Sequence, residues 1–365
     1  MSKIKIDKTF FGIVITLVAI GVVMFTSASL GILAKNEAKF YNVISNQLIF
    51  GLGGGLVALY FGYKIPYKFW RSYSLIFFIL SVLMTALVFV PSLGFSHGGA
   101  SRWIEVFGVS LQPVEFLKVG FIMYFAALLS LAKNRIHKFR YSILPFIILL
   151  GITSVILLKQ PDTKSVLLIT ITAFVMLFIS GTSIKKILGL FIIIMIAFGA
   201  LVFFKPYLMD RINTFLNPSQ DSQGTSYQLK QSLIAIGSGG VFGRGLGQSI
   251  QKFNYLPEPQ GDSIFAVVGE ELGFLGGTLL IILYLAFAFR GYQIALKSPD
   301  SFSKLLVTGF ITIIIAQSFM NIASIIGVFP LTGVPLVFIS HGGTSLLLSL
   351  GMVGIILNIS KNAKK

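Results

Sequence analysis

The chain has 365 residues, of which 55% are hydrophobic and only 11% charged, and its formal net charge is +17. A soluble domain carries about 25% charged residues, so this composition excludes a globule whose surface is covered by polar groups. Cysteine is absent, which excludes disulfides, thiolate catalysis and Cys-based metal sites.

The apolar residues come in long uncharged runs. Residues 9–34 contain no charge, and about 20 such residues cross the hydrocarbon core as a helix. Lys3, Lys5 and Lys8 precede the run, and Ser27-Ala28-Ser29 loosely resembles a cleavage site. The run is nevertheless longer than a signal h-region of about 7–15 residues and reads as a retained span. Further spans are predicted over 45–63, 72–93, 112–131, 142–158, 164–181, 186–204, 263–289, 304–327 and 343–359. Gly51, Gly53, Gly54 and Gly55 predict close helix packing in the second span. The basic excess follows the positive-inside rule rather than a nucleic-acid footprint. With the N-terminus inside, Lys64, Lys68, Arg71, Arg135, Lys138, Arg140, Lys185, Lys186, Arg290, Lys297 and Lys304 all fall in cytoplasmic segments. The even number of spans also returns the basic tail Ser360–Lys365 to the cytoplasm. The expected fold is therefore a single all-α polytopic membrane domain over 1–365, with about ten transmembrane helices and both termini cytoplasmic.

Three outer segments are elaborate. The stretch 94–112 holds Arg102-Trp103 beside apolar residues and reads as interfacial. The loop of about 205–262 exceeds the usual loop length of about 15 residues; its Tyr227, Leu229, Leu233, Ile234 and Ile236 predict a short helix on the membrane surface. The third, 327–343, is rich in Gly and Pro. Chemistry is therefore expected outside.

With 12 acidic residues in all, each one at a membrane boundary is informative. Glu115 and Lys118 share a helix face at i,i+3 and can neutralise each other, either as a site or as a brace between helices. Asp162, between Lys159 and Lys164, fits a turn or N-cap aspartate somewhat better than a site. Asp262 closes the long loop after Leu256-Pro257-Glu258-Pro259-Gln260-Gly261. Glu270 and Glu271 follow about 12–14 Å further along a helix and require a polar interior or a basic partner. No P-loop or H-E-x-x-H occurs, and Gly243, Gly245 and Gly247 match a dinucleotide fingerprint poorly. His97, His137 and His341 lack ligand spacing. Without a nucleotide site, synthesis outside needs a substrate that arrives activated. A lipid-pyrophosphate sugar meets that need: its leaving group wants positive charge from Arg, Lys or a divalent cation such as Mg2+, and the acceptor hydroxyl wants a base. No metal ligand is assigned.

These motifs resemble the SEDS family, the FtsW/RodA/SpoVE peptidoglycan polymerases, over nearly the whole chain. The resemblance rests on Gly99-Ala100-Ser101-Arg102-Trp103-Ile104, on Gln112-Pro113-Val114-Glu115 with Lys118, and on Gln160-Pro161-Asp162. It continues through 227–240, Tyr255-Leu256-Pro257-Glu258, Asp262-Ser263-Ile264-Phe265-Ala266, Gly269-Glu270-Glu271-Leu272-Gly273 and 335–345. The stretch 227–247 and the ending Leu357-Asn358-Ile359-Ser360 look more like the division branch. The resemblance implies polymerisation of lipid II outside the cytoplasmic membrane at the division septum, with release of undecaprenyl pyrophosphate. It also implies partnership with a class B penicillin-binding protein and other division proteins, and none with nucleic acid. It places the catalytic base on Asp262. Arg102 and Lys118 would bind diphosphate or steady Asp262, Glu115 would hold Lys118, and Asp162 and Glu258 would shape the cavity, with Ser340 and His341 beside the substrate.

The chain departs from the family pattern at four places. Gln260-Gly261-Asp262 replaces His-Thr-Asp, Val114 replaces a serine, and His341 replaces a tyrosine. Asp162-Thr163-Lys164-Ser165 stands where Asp-Leu-Gly-Thr is usual. A glycine before the base is expected to loosen its placement. The rival functions are a lipid II flippase and a non-catalytic division scaffold. The flippase is disfavoured because the acids gather at the outer mouth rather than at the midplane.

Overall fold

The computed structural model describes residues 6–90, 94–97, 100–106, 109–132, 135–216 and 225–362. Among them, eight helices are long and apolar enough to cross a membrane: α1 (Lys8–Leu33), α2 (Glu37–Lys64), α5 (Pro113–Ala132), α6 (Phe139–Lys159), α8 (Ile184–Phe204), α12 (Ile264–Leu296), α13 (Ser301–Ile325) and α14 (Gly343–Ser360). Two shorter apolar helices, α4 (Ser74–Phe89) and α7 (Thr163–Ile179), occupy the other two predicted positions. The short α3 (Tyr67–Ser72) precedes α4.

Helices α5, α13 and α14 are buried over most of their length, whereas α2 and α8 turn most of theirs outward. In lipid the hydrophobic effect does not drive helices together, so close van der Waals approach must. The seam between α2 and α14 shows how. A β-carbon at Gly55 would stand 2.6 Å from Leu350 Cδ1, and one at Gly62 would stand 2.7 Å from the Gly351 carbonyl. Only glycine fits there. The expected packing role of this glycine run is met at Gly51, Gly54 and Gly55, which abut Gly343, Leu347 and Leu350. Upstream of them α2 widens to a π-helical turn over Asn46–Gly53.

The bundle has two distinct ends. At one, Arg290 pairs with Asp7 at 3.0 Å, Tyr67 donates to Asp300 at 2.9 Å, Asn358 donates to the Tyr63 carbonyl at 2.7 Å, and Lys186 donates to the His137 carbonyl. Every one of these residues lies in or beside a segment predicted to be cytoplasmic. At the other end the three elaborate segments meet.

The first of them is not merely interfacial. It holds an antiparallel sheet of β1 (Gly94–His97), β2 (Ala100–Val106) and β3 (Val109–Leu111), in which each strand satisfies its backbone on the next. Period-two alternation puts Arg102 on the same face as Ile104, which is buried.

The long loop folds as α9 (Pro206–Leu216), α10 (Thr225–Gly239) and α11 (Gln251–Asn254). The predicted apolar stripe on α10 is divided: Leu233 and Ile234 are exposed, while Leu229, Ser232 and Ala235 are buried. Small residues face inward because α10 lies directly on α12. The predicted eighth span also needs correction. Gly273 has φ 67° and ψ −166°, which breaks α12. Residues 264–272 form a separate, buried rod ahead of the long spanning part of the helix.

Candidate functional site

Asp262 lies at the head of that rod, and its carboxylate is half-buried. Its backbone is held from several directions. Asn321 on α13 donates from Nδ2 to the Asp262 carbonyl and to the Val334 carbonyl, both at 2.7 Å. Ser340 accepts from Leu336 N–H and donates to the Gly261 carbonyl, both at 2.8 Å. Gly261 N–H reaches the Glu258 carbonyl at 3.0 Å, and His341 N–H reaches the Gln260 carbonyl at 2.7 Å. Both the N–H and the C=O of Gly261 are therefore hydrogen-bonded.

The chain 331–342 closes over Asp262. Gly333 has φ +64°, and a β-carbon there would stand 3.0 Å from Asp262 Oδ2 and 3.7 Å from Lys164 Nζ. Lys164 also donates to the Gly333 carbonyl. Carboxylate, ammonium and the bare Cα of Gly333 thus share one spot. Glu258 is exposed and near, with Oε2 3.3 Å from where a Gly261 side chain would begin.

Arg102 donates to the Gln160 carbonyl at 3.2 Å and to the Pro161 carbonyl at 2.5 Å. Asp162, beside them, is fully buried and caps α7, accepting from the Ser165 hydroxyl at 2.8 Å. Arg211, on α9, completes the rim. Burial, and then the like charge of Arg102, pull its guanidinium below the ordinary arginine value, while Tyr207, Asp262 and Asp162 pull it back up. Three buried polar atoms nearby have no partner among the described residues: Gln260 Oε1, Thr332 Oγ1 and Asn321 Oδ1. Such atoms are costly and suit a site that receives a polar ligand.

Glu115 and Lys118 stand behind this spot rather than in it. Lys118 Nζ is 2.7 Å from Glu115 and from Gln317 Oε1, and both charges are buried. Gln317 then donates to the Pro335 carbonyl at 3.3 Å, so the pair braces the chain that covers Asp262. His341 stacks on Phe25 at 5.8 Å, and burial lowers its pKa.

Sequence reasoning passed over several residues. Gln317 and Asn321 lie at i,i+4 in an apolar helix, and that spacing was a readable signal. Gln47 was another: it donates to the Ser340 carbonyl at 3.2 Å and accepts from Gly342 N–H at 3.0 Å. Glu270 and Glu271 do find partners. Glu271 pairs with buried Lys252 at 2.7 Å and accepts from Ser27 on α1. Glu270 accepts from Ser249 at 2.5 Å and from Ile250 N–H at 2.9 Å. The buried rod is thereby clasped to the loop before it. His97 lies where side chains are outside the described residues.

Among the described residues no group of three or more His, Asp or Glu could hold a metal.

The fold and this rim define a multi-pass helical membrane protein with an acid–cation site at one mouth of its bundle. A family model described as cell cycle protein, FtsW/RodA/SpoVE, matches residues 7–365. Stage V sporulation protein E of Bacillus subtilis is 38% identical over 365 residues, covering 100% of this chain and 99% of the relative. The probable peptidoglycan glycosyltransferase FtsW of Trichlorobacter lovleyi is 40% identical over 358 residues, covering 98% and 94%. A chain solved in a peptidoglycan synthase complex that coordinates polymerization and crosslinking superposes with a TM-score of 0.82 at 25% identity, covering 98% of each chain. The rod shape determining protein RodA of Thermus thermophilus shares the fold, with a TM-score of 0.71 at 24% identity and full coverage of both chains. The chain belongs to the FtsW/RodA/SpoVE family.

Proposed function

We propose that this protein is a peptidoglycan glycosyltransferase that polymerises lipid II on the outer face of the cytoplasmic membrane. The observation that carries the reading is the half-buried Asp262 carboxylate, fixed by its backbone, with Lys164 beside it across Gly333 and Arg211 within electrostatic reach. Asp262 takes the proton of the GlcNAc 4-hydroxyl of the acceptor lipid II. That oxygen attacks the anomeric carbon of the donor in line, forming a β-glycosidic bond while the α-linked undecaprenyl pyrophosphate leaves with its bonding pair. The cations balance the charge that develops on the departing diphosphate. Both relatives and solved neighbours support the reading, since they include proteins named for this transfer and a synthase complex. A class B penicillin-binding protein is the expected partner, and the division septum the expected place. Both termini are assigned to the cytoplasm.

The test supplies the purified protein, with and without its partner, with labelled lipid II and looks for glycan strands on a gel. Asp262→Asn should abolish product while melting temperature and partner binding stay native. Strands from the substituted protein would remove the base assignment. Lipid movement in vesicles without strands from the native complex would favour a flippase instead.

A further inference from the structure

Among the cations beside Asp262, the surroundings of Lys164 give it a particular task. Its ammonium carries three donors and no acceptor. One donor goes to the Gly333 carbonyl, and among the described residues no ion pair engages the group. Its near neighbour Asp162 is occupied with Ser165 and lies buried, so it does not neutralise Lys164 by direct contact. The side chain is half-buried, so its charge is partly desolvated yet reachable. It also stands beside Asp262 across Gly333, no further away than the two distances from that glycine's β-position together allow. This lysine stands where the resembled pattern usually carries glycine.

We infer that Lys164 is a diphosphate-binding residue that holds the lipid-linked diphosphate of the sugar donor beside Asp262. Arg211 lies within electrostatic reach of Asp262, Asp162 and Arg102, and Arg102 itself is held at the Gln160 and Pro161 carbonyls next to Asp162. The facing acids are Asp262, Asp162 and the exposed Glu258. A diphosphate diester brings two negative charges and several acceptor oxygens, which suits three cations on separate elements better than a neutral sugar would. Lys118 is unsuited to the task because its donors are already engaged by Glu115 and Gln317. Lys164 keeps donors to offer. The inference rests on the polymerase reading for its substrate, but its test does not require turnover.

The full chain would be placed in phosphatidylcholine nanodiscs and titrated with farnesyl diphosphate, with farnesyl monophosphate as a second probe. Lys164→Met should weaken farnesyl diphosphate about ten- to a hundredfold, the range of one charge-assisted hydrogen bond. The monophosphate should weaken less, and Lys164→Arg should restore most of the affinity. In turnover, KM for lipid II should rise more than kcat falls. Nanodiscs containing phosphatidylglycerol separate the sources of phosphate: loss of binding to that lipid instead of the diphosphate would overturn the assignment. Native affinity for farnesyl diphosphate in folded Lys164→Met would also overturn it. If that variant misfolds, Lys164→Gln keeps a donor for Gly333 and is judged by the same criterion. Absence of glycan strands from the native complex would sink the polymerase reading alone and leave the binding result to be judged separately.

Discussion

Replacing Gly333 by alanine should silence the site while leaving the bundle folded. Two effects add at this position. The backbone at φ +64° is left-handed, which costs a side-chain-bearing residue about 1–2 kcal/mol. The new methyl would also stand 3.0 Å from Asp262 Oδ2, inside the ordinary contact distance of about 3.5–4.0 Å. The carboxylate must shift or be covered, and in either case the acceptor hydroxyl loses its base. General-base help contributes about 10²–10⁴-fold, so strand formation should fall at least about 100-fold. Gly327→Ala is the matched control. It has φ +77° and the same backbone cost, but its β-carbon would meet Leu229 at an unstrained 3.6 Å. Both variants should lose similar melting temperature in detergent, and only Gly333→Ala should lose strands from labelled lipid II. If both polymerise at the native rate, Asp262 is not approached from the Gly333 side and the site geometry argued above is wrong.

Ser340→Ala removes the donor to the Gly261 carbonyl and the acceptor for Leu336 N–H; it should cost about 1–3 kcal/mol and lower kcat, and an unchanged kcat would show that Asp262 keeps its place without it. Glu271→Gln leaves the Lys252 charge buried without its counter-ion and should destabilise by about 3–5 kcal/mol; a melting temperature within a degree of native would refute the clasp. Asp300 gives a pH test. Burial pushes its carboxyl up, but bonds from Ser303 and Tyr67 and the charge of Arg71 together hold it below the usual carboxylate range. A depressed folded value means that its stabilisation is present above the unfolded pKa of about 3.9 and is lost as pH falls through the folded value. Asp300→Asn should therefore flatten the melting curve's pH dependence in that acid window, and an identical dependence in both proteins would contradict it.

Hydropathy placed the helices because a bilayer asks little of a span beyond length and apolarity. Ends and breaks were harder. Gly273 looked like one more small residue in an apolar run, and only its backbone angles reveal that the run is two pieces. The sheet at Arg102 was hidden for a similar reason, since its short strands alternate too briefly to outweigh the interfacial reading. Asp262, Arg102 and Ser340 were legible through the resemblance to the family's motifs. Lys164 and Gly333 were not, because they are 169 residues apart and their meeting is set by how α7 and α13 pack. The Glu115–Lys118 pair shows the limit of local pattern: its spacing was plain, but its place behind the site depends on Gln317, in another helix.

Asn321, Ser340, Glu258 and His341 all fasten main-chain atoms of residues 260–263, and none of those bonds uses the carboxylate. The frame is therefore indifferent to what side chain it presents. A protein disarmed at 262 should still dock its substrates, sit in its assembly and occupy a synthetic machine without running it, which makes such a variant a dominant poison rather than a simple loss.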